Sequence, residues 1–186
     1  MSHFTVLVVG DNAEEQLAPY DENIEVEPYG EDWGDEDIAL FEEHVMKVSG
    51  DLDTVLAKMR EWNGCKNTYD SERDVYVRWT TYNPKSQWDW YEVGGRWEGF
   101  FKLTGEDRWV DSAYKGEIDF EGMKQQDIEP LTFAYVKDGE WHERAQMGWF
   151  AVTSNERPEG EWEKEFKDML DSLPDDTLLT LFDCHI

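Results

Sequence analysis

Three polar side chains near the two ends of the chain could meet if the strands that carry them pair. Asp183 and His185 are two residues apart in a strand-like run, so strand alternation points both side chains to one face. His3 begins the first strand-like run. One carboxylate and two imidazoles would form a metal site or an acid–base pair. The competing interpretation is that these are terminal residues, partly solvated, near a sheet edge.

Arg96 is the second candidate, because it follows two glycines and stands among tryptophans. Backbone N–H groups, a guanidinium and stacking rings could hold a phosphate, a carboxylate or a nucleobase. The segment matches neither the phosphate-loop nor the dinucleotide fingerprint. In the competing interpretation Arg96 pairs with Asp89 or Glu92 and stacks on Trp97. The predicted ligand-binding residues are Trp88, Trp90, Tyr91, Gly94, Gly95, Arg96 and Trp97.

The fourteen residues 88–101 hold six aromatic rings and are expected to fold inward. Each ring removes roughly 150–250 Å² from water when it is buried. The segment is therefore predicted to be a strand at the nucleus of the fold. Its Gly94-Gly95 pair would break regular pairing and indicates a bulge, or a place where another backbone or a ligand comes close.

The net charge of −27 limits the classes of partner. A chain with 44 acidic and 17 basic side chains repels nucleic acid and anionic membranes, and it attracts basic surfaces. An aromatic content of 15% argues against an ordinary disordered acidic protein. The charge accordingly favours a basic protein as partner, with no direct nucleic-acid binding and no membrane.

Fourteen acidic residues lie between Asp11 and Glu43, with no lysine or arginine before Lys47. Three interpretations stay open: a solvated connection, a surface that imitates nucleic-acid phosphates, or a calcium site. Residues 31–37 lack the ligand spacing of the twelve-residue calcium loop. The predicted partner-binding face consists of Glu31, Asp32, Asp35, Glu36, Asp37, Glu42 and Glu43.

Composition and spacing also indicate the compartment. Cys65 and Cys184 have no C-x-x-C spacing, so neither a disulfide framework nor a zinc site is expected. No apolar run reaches the roughly eighteen residues of a membrane span, and no basic leader follows Met1. We therefore expect a cytoplasmic protein without a cofactor.

Hydrophobic periodicity and turn residues predict an α+β fold. The chain 1–186 is predicted to be a single domain, a mostly antiparallel β-sheet with two or three helices packed chiefly on one face. An acidic loop is expected at 11–37 and a long polar loop at 104–130. Asp138-Gly139 between strand-like runs predicts a hairpin. The predicted strands are 4–9, 75–82, 88–101, 131–136, 140–145, 148–153 and 178–186, and the predicted helices are 38–45, 52–62 and 162–173.

Three stretches resemble an uncharacterised family of small acidic proteins encoded by bacteriophages. They are MSHFTVLV at 1–8, NPKSQWDWYEVGGRW at 83–97, and LPDDTLLT at 173–180 with its continuation to DCHI at 183–186. The resemblance implies a phage origin, and hence the cytoplasm of the host cell, but no catalytic residues. Small acidic proteins of phages often act by binding and blocking host machinery or by sequestering a host signal.

These observations favour binding over catalysis, since no serine or cysteine lies in a nucleophile motif. The first functional prediction is a non-enzymatic inhibitor, whose acidic surface blocks a basic nucleic-acid-binding protein of the host or of its defence. The alternative is a pocket protein that binds and sequesters, or cleaves, a nucleotide-like anionic ligand near Arg96. A metal-dependent enzyme that uses His3, Asp183 and His185 comes third.

Overall fold

The computed structural model describes residues 2–45, 51–148 and 152–186. The strands in chain order are β1 (His3–Val9), β2 (Tyr29–Asp32), β3 (Lys66–Asp70), β4 (Val75–Thr80), β5 (Trp90–Val93), β6 (Phe101–Lys102), β7 (Trp109–Val110), β8 (Ser112–Tyr114), β9 (Ala134–Lys137), β10 (Glu140–Glu143), β11 (Gln146–Met147), β12 (Thr153–Ser154) and β13 (Leu178–His185). The α-helices are α1 (Ala13–Leu17), α2 (Asp35–Val45), α3 (Leu52–Asn63), α4 (Phe120–Lys124) and α5 (Glu161–Ser172). Short 3-10 turns lie at Ala18–Tyr20, Gly95–Trp97 and Lys115–Glu117.

The chain divides into two compact units, Met1–Asn23 with Pro84–Ile186, and Ile24–Asn83. Both units combine helices with antiparallel strands, so the α+β class is confirmed. The prediction of one domain over 1–186 stays a prediction.

The larger unit is built on a sheet with the strand order β10-β9-β1-β13-β5, in which β8 also pairs with β13. The two ends of the chain form its centre, because β1 and β13 pair antiparallel along their whole length. Among the described strands only the pairing of β1 with β9 is parallel. The mostly antiparallel sheet is therefore confirmed.

Both faces of this sheet are covered, because β1 and β13 are apolar on both sides. On one face Leu7 and Leu181 pack against Trp162 and Phe166 of α5 and against Met123 of α4. On the other face the strand residues pack against Leu17 of α1 and the buried indole of Trp88; these residues include Phe4, Val6, Val8, Phe182 and Cys184. Helix α5 therefore lies on one face together with α4, and the five-residue α1 covers the other.

A carboxylate joins α5 to the hairpin of β9 and β10. Glu165 accepts a hydrogen bond of 3.0 Å from the hydroxyl of Tyr135 and forms an ion pair with Arg157. The ring of Tyr135 stacks on His142, with centroids 4.5 Å apart and planes 13° from parallel. Nδ1 of His142 lies 3.6 Å from Oε1 of Glu165. His142, which looks isolated in the sequence, thus belongs to a helix–sheet contact.

The unit 24–83 has a three-stranded antiparallel sheet in the order β2-β4-β3. Its core is formed by Trp33, Phe41 and Met59, the last two from α2 and α3. Helix α3 begins where the Asp51 carboxylate accepts the N–H of Thr54, and it ends at Gly64 with φ 71°. These are the capping residues that helix termini favour.

Most predicted elements are confirmed, with shifted ends. The hairpin turn places Asp138 and Gly139 at φ 55° and 74°, the left-handed conformation expected of Asp-Gly between paired strands. The aromatic stretch 88–101 is not one strand: β5 ends at Val93, and a 3-10 turn follows at Gly95. Of the strand predicted at 148–153, residues 149–151 lie outside the described residues.

The two predicted loops are corrected. Residues 11–37 contain α1, a 3-10 turn, β2 and the start of α2, and residues 104–130 contain β7, β8, a 3-10 turn and α4. These elements are mostly two to five residues long, too short for a hydrophobic period to show in the sequence. Across the described ranges no helix combines the length and the apolar character needed to cross a membrane. Both cysteines are free, and burial raises the pKa of the Cys184 thiol.

Burial, together with the hydrogen bond to Glu165, raises the pKa of Tyr135 from 10.0 to about 12. The folded chain keeps this proton after the unfolded chain has released it. The stability that Tyr135 contributes is therefore complete below pH 10 and falls as the pH rises towards 12. We expect the Tyr135→Phe variant to lose less unfolding free energy than the unaltered chain as the pH rises from 10 towards 12, as measured by denaturant titration. A titration followed by tyrosine absorbance should lack the phenol that ionises at the highest pH. Identical pH profiles for both proteins would contradict the assignment.

Candidate functional site

The pairing of β1 with β13 places His3 directly opposite His185, and Thr5 opposite Asp183. Because strand residues alternate between faces, His3, Asp183 and His185 share the face on which Leu7 and Leu181 lie. The three side chains that the sequence singled out therefore converge. At this end of the pair β5 flanks β13, whereas β9 pairs with β1 only from Val6 to Val9 and does not reach His3.

Asp183 is a buried carboxylate with two donors. Its side chain is 2% exposed, and Oδ1 lies 2.8 Å from Nδ1 of His3. Oδ2 accepts the backbone N–H of Arg96 at 3.0 Å. A carboxylate at Nδ1 favours the tautomer that carries its proton there, which leaves Nε2 of His3 as a proton acceptor.

His185 has the same arrangement with a different carboxylate. Its Nδ1 lies 2.5 Å from Oδ1 of Asp89, and the backbone N–H of Asp89 donates back to the carbonyl of His185 at 2.9 Å. Nε2 of His185 is buried and has no hydrogen-bond partner in the described part of the chain. Buried polar atoms are nearly always paired, so an orphaned imidazole nitrogen marks a functional candidate. The two rings meet edge to face, with centroids 5.1 Å apart.

Trp90 lies beside the histidines, and its indole is half exposed. In the register of β5 with β13 it stands opposite His185, and its ring meets His3 at 6.3 Å between centroids. Its relative exposure of 49% is high for a tryptophan. We call His3, Asp89, Trp90, Asp183 and His185, with the turn at Gly94–Arg96, the two-histidine site.

The two glycines are required by the close approach of that turn to the site. Gly94 and Gly95 have φ values of 70° and 52°, which favour glycine. A Cβ on Gly95 would lie 2.5 Å from Cβ of Asp183. A Cβ on Gly94 would overlap the carboxylate of Asp111. The close approach predicted for this pair is therefore made to two of the protein's own carboxylates.

The side chain of Arg96 is exposed and forms no ion pair with any residue that the structure describes. The pairing with Asp89 or Glu92 that the sequence left open is not made, since Asp89 is used by His185. Three other exposed arginines also form no ion pair with described residues: Arg60, Arg108 and Arg144. Arg96 differs from them by its place on the turn against Asp183.

Three of the predicted ligand-binding rings do not join the site. Trp88 is 5% exposed, donates its indole N–H to the carbonyl of Leu17 and packs with Tyr91 on the opposite face of the sheet. Trp97 packs against the core on the α5 side. For Tyr91 the reason is alternation along β5, which sends Trp90 and Tyr91 to different faces.

The metal interpretation of His3, Asp183 and His185 gains no support from the geometry. Each Nδ1 faces a carboxylate oxygen instead of a common point. Within 2–45, 51–148 and 152–186, no three His, Cys, Asp or Glu side chains are arranged to hold a metal ion. Asp89 was missed as a site residue, because only the paired sheet brings it to His185, 96 positions away.

The predicted acidic face lies in the unit 24–83, on β2 and α2. Glu31 pairs with Arg78 at 2.7 Å and Asp32 with Arg73 at 2.6 Å, and Asp37 accepts the N–H of Gly34. The remaining four carboxylates are exposed on α2 without ion pairs to described residues: Asp35, Glu36, Glu42 and Glu43. The net charge is −9 for 24–83 and −18 for the rest, roughly in proportion to length. The acids are thus not concentrated on one unit.

No family model, curated protein or solved structure matches the chain. The resemblance to a phage family therefore stays a prediction.

Gly95→Ala should destabilise the fold more than the control substitution Gly105→Ala. Gly105 also has a positive φ, 75°, but no atom lies within 4 Å of the position that its Cβ would take. The left-handed backbone costs each variant about 1–2 kcal/mol. Overlap with Asp183 should add about 1–3 kcal/mol at Gly95 only. Denaturant unfolding measures both, and equal losses would argue against the close packing of the turn on Asp183.

Proposed function

We propose that the two-histidine site binds a small anionic ligand of the nucleotide type. The observation that carries the proposal is the place of Arg96: its backbone N–H holds Asp183, and its side chain is exposed without a carboxylate partner among the described residues. Guanidinium groups bind phosphate and carboxylate oxygens through two parallel hydrogen bonds. An anion bound by this side chain would be held by the turn that packs on Asp183.

Trp90 supplies the surface on which a planar base can stack. Stacking of a nucleobase on an aromatic ring contributes about 1–3 kcal/mol and tolerates any base. The indole is half exposed beside His3, so one ring face can take up a base without unfolding the core.

Arg96→Ala should weaken nucleotide binding by about 10- to 100-fold, since hydrogen bonds to a charged group contribute about 1.5–3 kcal/mol. The measurement is a thermal-shift screen with mono- and dinucleotides, followed by calorimetry. Arg108→Ala is the matched control, since Arg108 is also exposed and lies on the turn between β6 and β7. No melting shift with any nucleotide, or equal affinities for both variants, would refute the proposal.

A second proposal keeps the acidic surface as a docking site for a basic nucleic-acid-binding protein of a phage host or its defence. It is favoured by Asp35, Glu36, Glu42 and Glu43, which lie exposed along α2 without ion pairs to described residues. Carboxylates that no lysine or arginine neutralises can meet a surface that otherwise holds phosphates.

The double variant Glu42→Gln with Glu43→Gln should weaken such binding by roughly 2- to 30-fold, at about 0.2–1 kcal/mol for each exposed charge pair. The assay is displacement of duplex DNA from a panel of basic bacterial DNA-binding proteins, at low and high salt. The control with the same charge change is Glu159→Gln with Glu163→Gln, both exposed in the other unit. This function would be excluded if no DNA were displaced, or if the displacement were the same at low and high salt concentration.

A further inference from the structure

We propose that a groove between α4 and α5 binds an amphipathic helix of a partner protein, one whose apolar face is flanked by lysine or arginine. The groove has a volume of about 390 Å³, and none of its lining residues belongs to the two-histidine site or to α2. We call it the α4–α5 groove and define it by its apolar floor: Phe120, Ile128, Leu131, Phe166 and Leu170.

The floor of the α4–α5 groove is apolar and only partly buried. Four of its side chains pack against the core under α5 and yet stay partly exposed: Phe120, Ile128, Leu131 and Leu170. Phe166, which is 2% exposed, closes the floor between them. Covering such apolar surface with the apolar face of a partner removes it from water, which is the main driving force of protein association.

One wall of the groove is fixed by the way α4 ends. The N–H of Ile128 donates to the carbonyl of Met123 at 3.0 Å, and the N–H of Asp127 donates to the carbonyl of Lys124 at 3.1 Å. Asp127 has φ 57°, so the three features together form a Schellman motif. In this motif the apolar residue that follows the left-handed one packs back on the helix, which holds Ile128 in place. The groove is therefore formed before a partner binds, and binding does not have to order this wall.

The opposite wall is one face of α5. Residues four apart form two rows on it, Phe166 with Leu170, and Glu163 with Lys167 and Asp171. Such rows are the ridges against which the side chains of a second helix pack. From Glu163 to Asp171 the wall spans about 12 Å, at roughly 1.5 Å per residue. This length matches about two turns of a partner helix with apolar residues at i, i+4 and i+7.

The charges at the rim complement a basic partner. Glu121, Glu129 and Glu163 are exposed and form no ion pair with the residues that the structure describes. Two of the three rim lysines have a carboxylate within 4 Å and the third has none in the described ranges: Lys115 and Lys167, against Lys124. The charge left without a partner is therefore mostly negative, and lysine or arginine beside the apolar face of a helix would meet it.

The same charges oppose other occupants of the groove. A second copy of the chain also carries a net charge of −27, so charge repulsion acts against self-association. A fatty acid would bring its carboxylate head group close to the three glutamates of the rim. A basic amphipathic helix satisfies both the apolar floor and the acidic rim.

The test uses the full chain and a labelled synthetic peptide as the probe, an amphipathic helix with leucine at i, i+4 and i+7 and lysine beside them. Fluorescence anisotropy measures its Kd. Two control peptides are measured in the same way, one of the same composition with its leucines scattered around the helix, and one with glutamate in place of lysine. We expect the probe to bind at least about tenfold more tightly than either control peptide.

Two variants locate the binding in the groove. Leu170→Ser should weaken binding of the probe by about 5- to 30-fold, because it removes an apolar contact from the floor. The pair Glu121→Gln with Glu129→Gln leaves the floor intact and should weaken binding by roughly 2- to 30-fold, so it decides alone if Leu170→Ser does not fold. The matched control is Glu14→Gln with Glu15→Gln, exposed on α1, which covers the opposite face of the sheet. It should leave Kd unchanged.

Equal affinity for the scattered peptide, or an equal loss in both glutamine pairs, would overturn the groove as the binding site, because net charge alone would then attract the probe. Tighter binding of the glutamate peptide, or binding of decanoate in calorimetry that Leu170→Ser abolishes, would overturn the basic helix as the occupant. A dimer in sedimentation that Leu170→Ser dissociates would do the same.

Discussion

The antiparallel pairing of the first and last strands is the constraint on which the rest of the structure depends. It brings residues 180 positions apart into direct register and buries both faces of the two strands. A slip of one residue would move His3 to the opposite face and carry Phe4 into the site. The apolar side chains prevent this slip, since Leu7 and Leu181 fit the core under α5 while Val6 and Phe182 fit the core under α1. Packing of the sheet therefore fixes the geometry of the histidines.

Much of the fold could be predicted from local patterns. Turn residues predict the hairpin at Asp138-Gly139 and the helix C-cap at Gly64, and hydrophobic periodicity predicts the helix at 161–172. Both signals depend only on residues that are close in sequence. The site could be predicted only in part. Asp183 and His185 share a face by alternation alone, but their meeting with His3 needed the strand register. The contact of His185 with Asp89 needed β5 to pair with β13 as well, and no local signal indicates that.

The aromatic segment 88–101 shows that composition can identify a buried segment without showing which face of the sheet each side chain lies on. Its density of rings correctly predicted burial for Trp88 and Phe101. Alternation along β5 then separated neighbours, so that Tyr91 faces the core and Trp90 the histidines. The glycines were interpreted as a close approach, and the approach is real, but Gly94 makes it to Asp111 and Gly95 to Asp183. The backbone N–H of Arg96 is bonded to Asp183, while its side chain is exposed.

A net charge of −27 opposes the anion binding proposed at Arg96, and local charges decide how strongly it does so. Exposed charges more than about 10 Å apart are largely screened at roughly 0.1 M salt, so distant carboxylates repel a bound ligand only weakly. The two carboxylates inside the site face imidazoles at 2.8 and 2.5 Å, and Asp183 is shielded further by the N–H of Arg96. The one guanidinium of the turn meets no such partner among the described residues. The exposed Glu92 stands opposite Asp183, so an approaching phosphate would meet this carboxylate as well as Arg96. These near charges act more strongly on a bound phosphate than the sum over the chain.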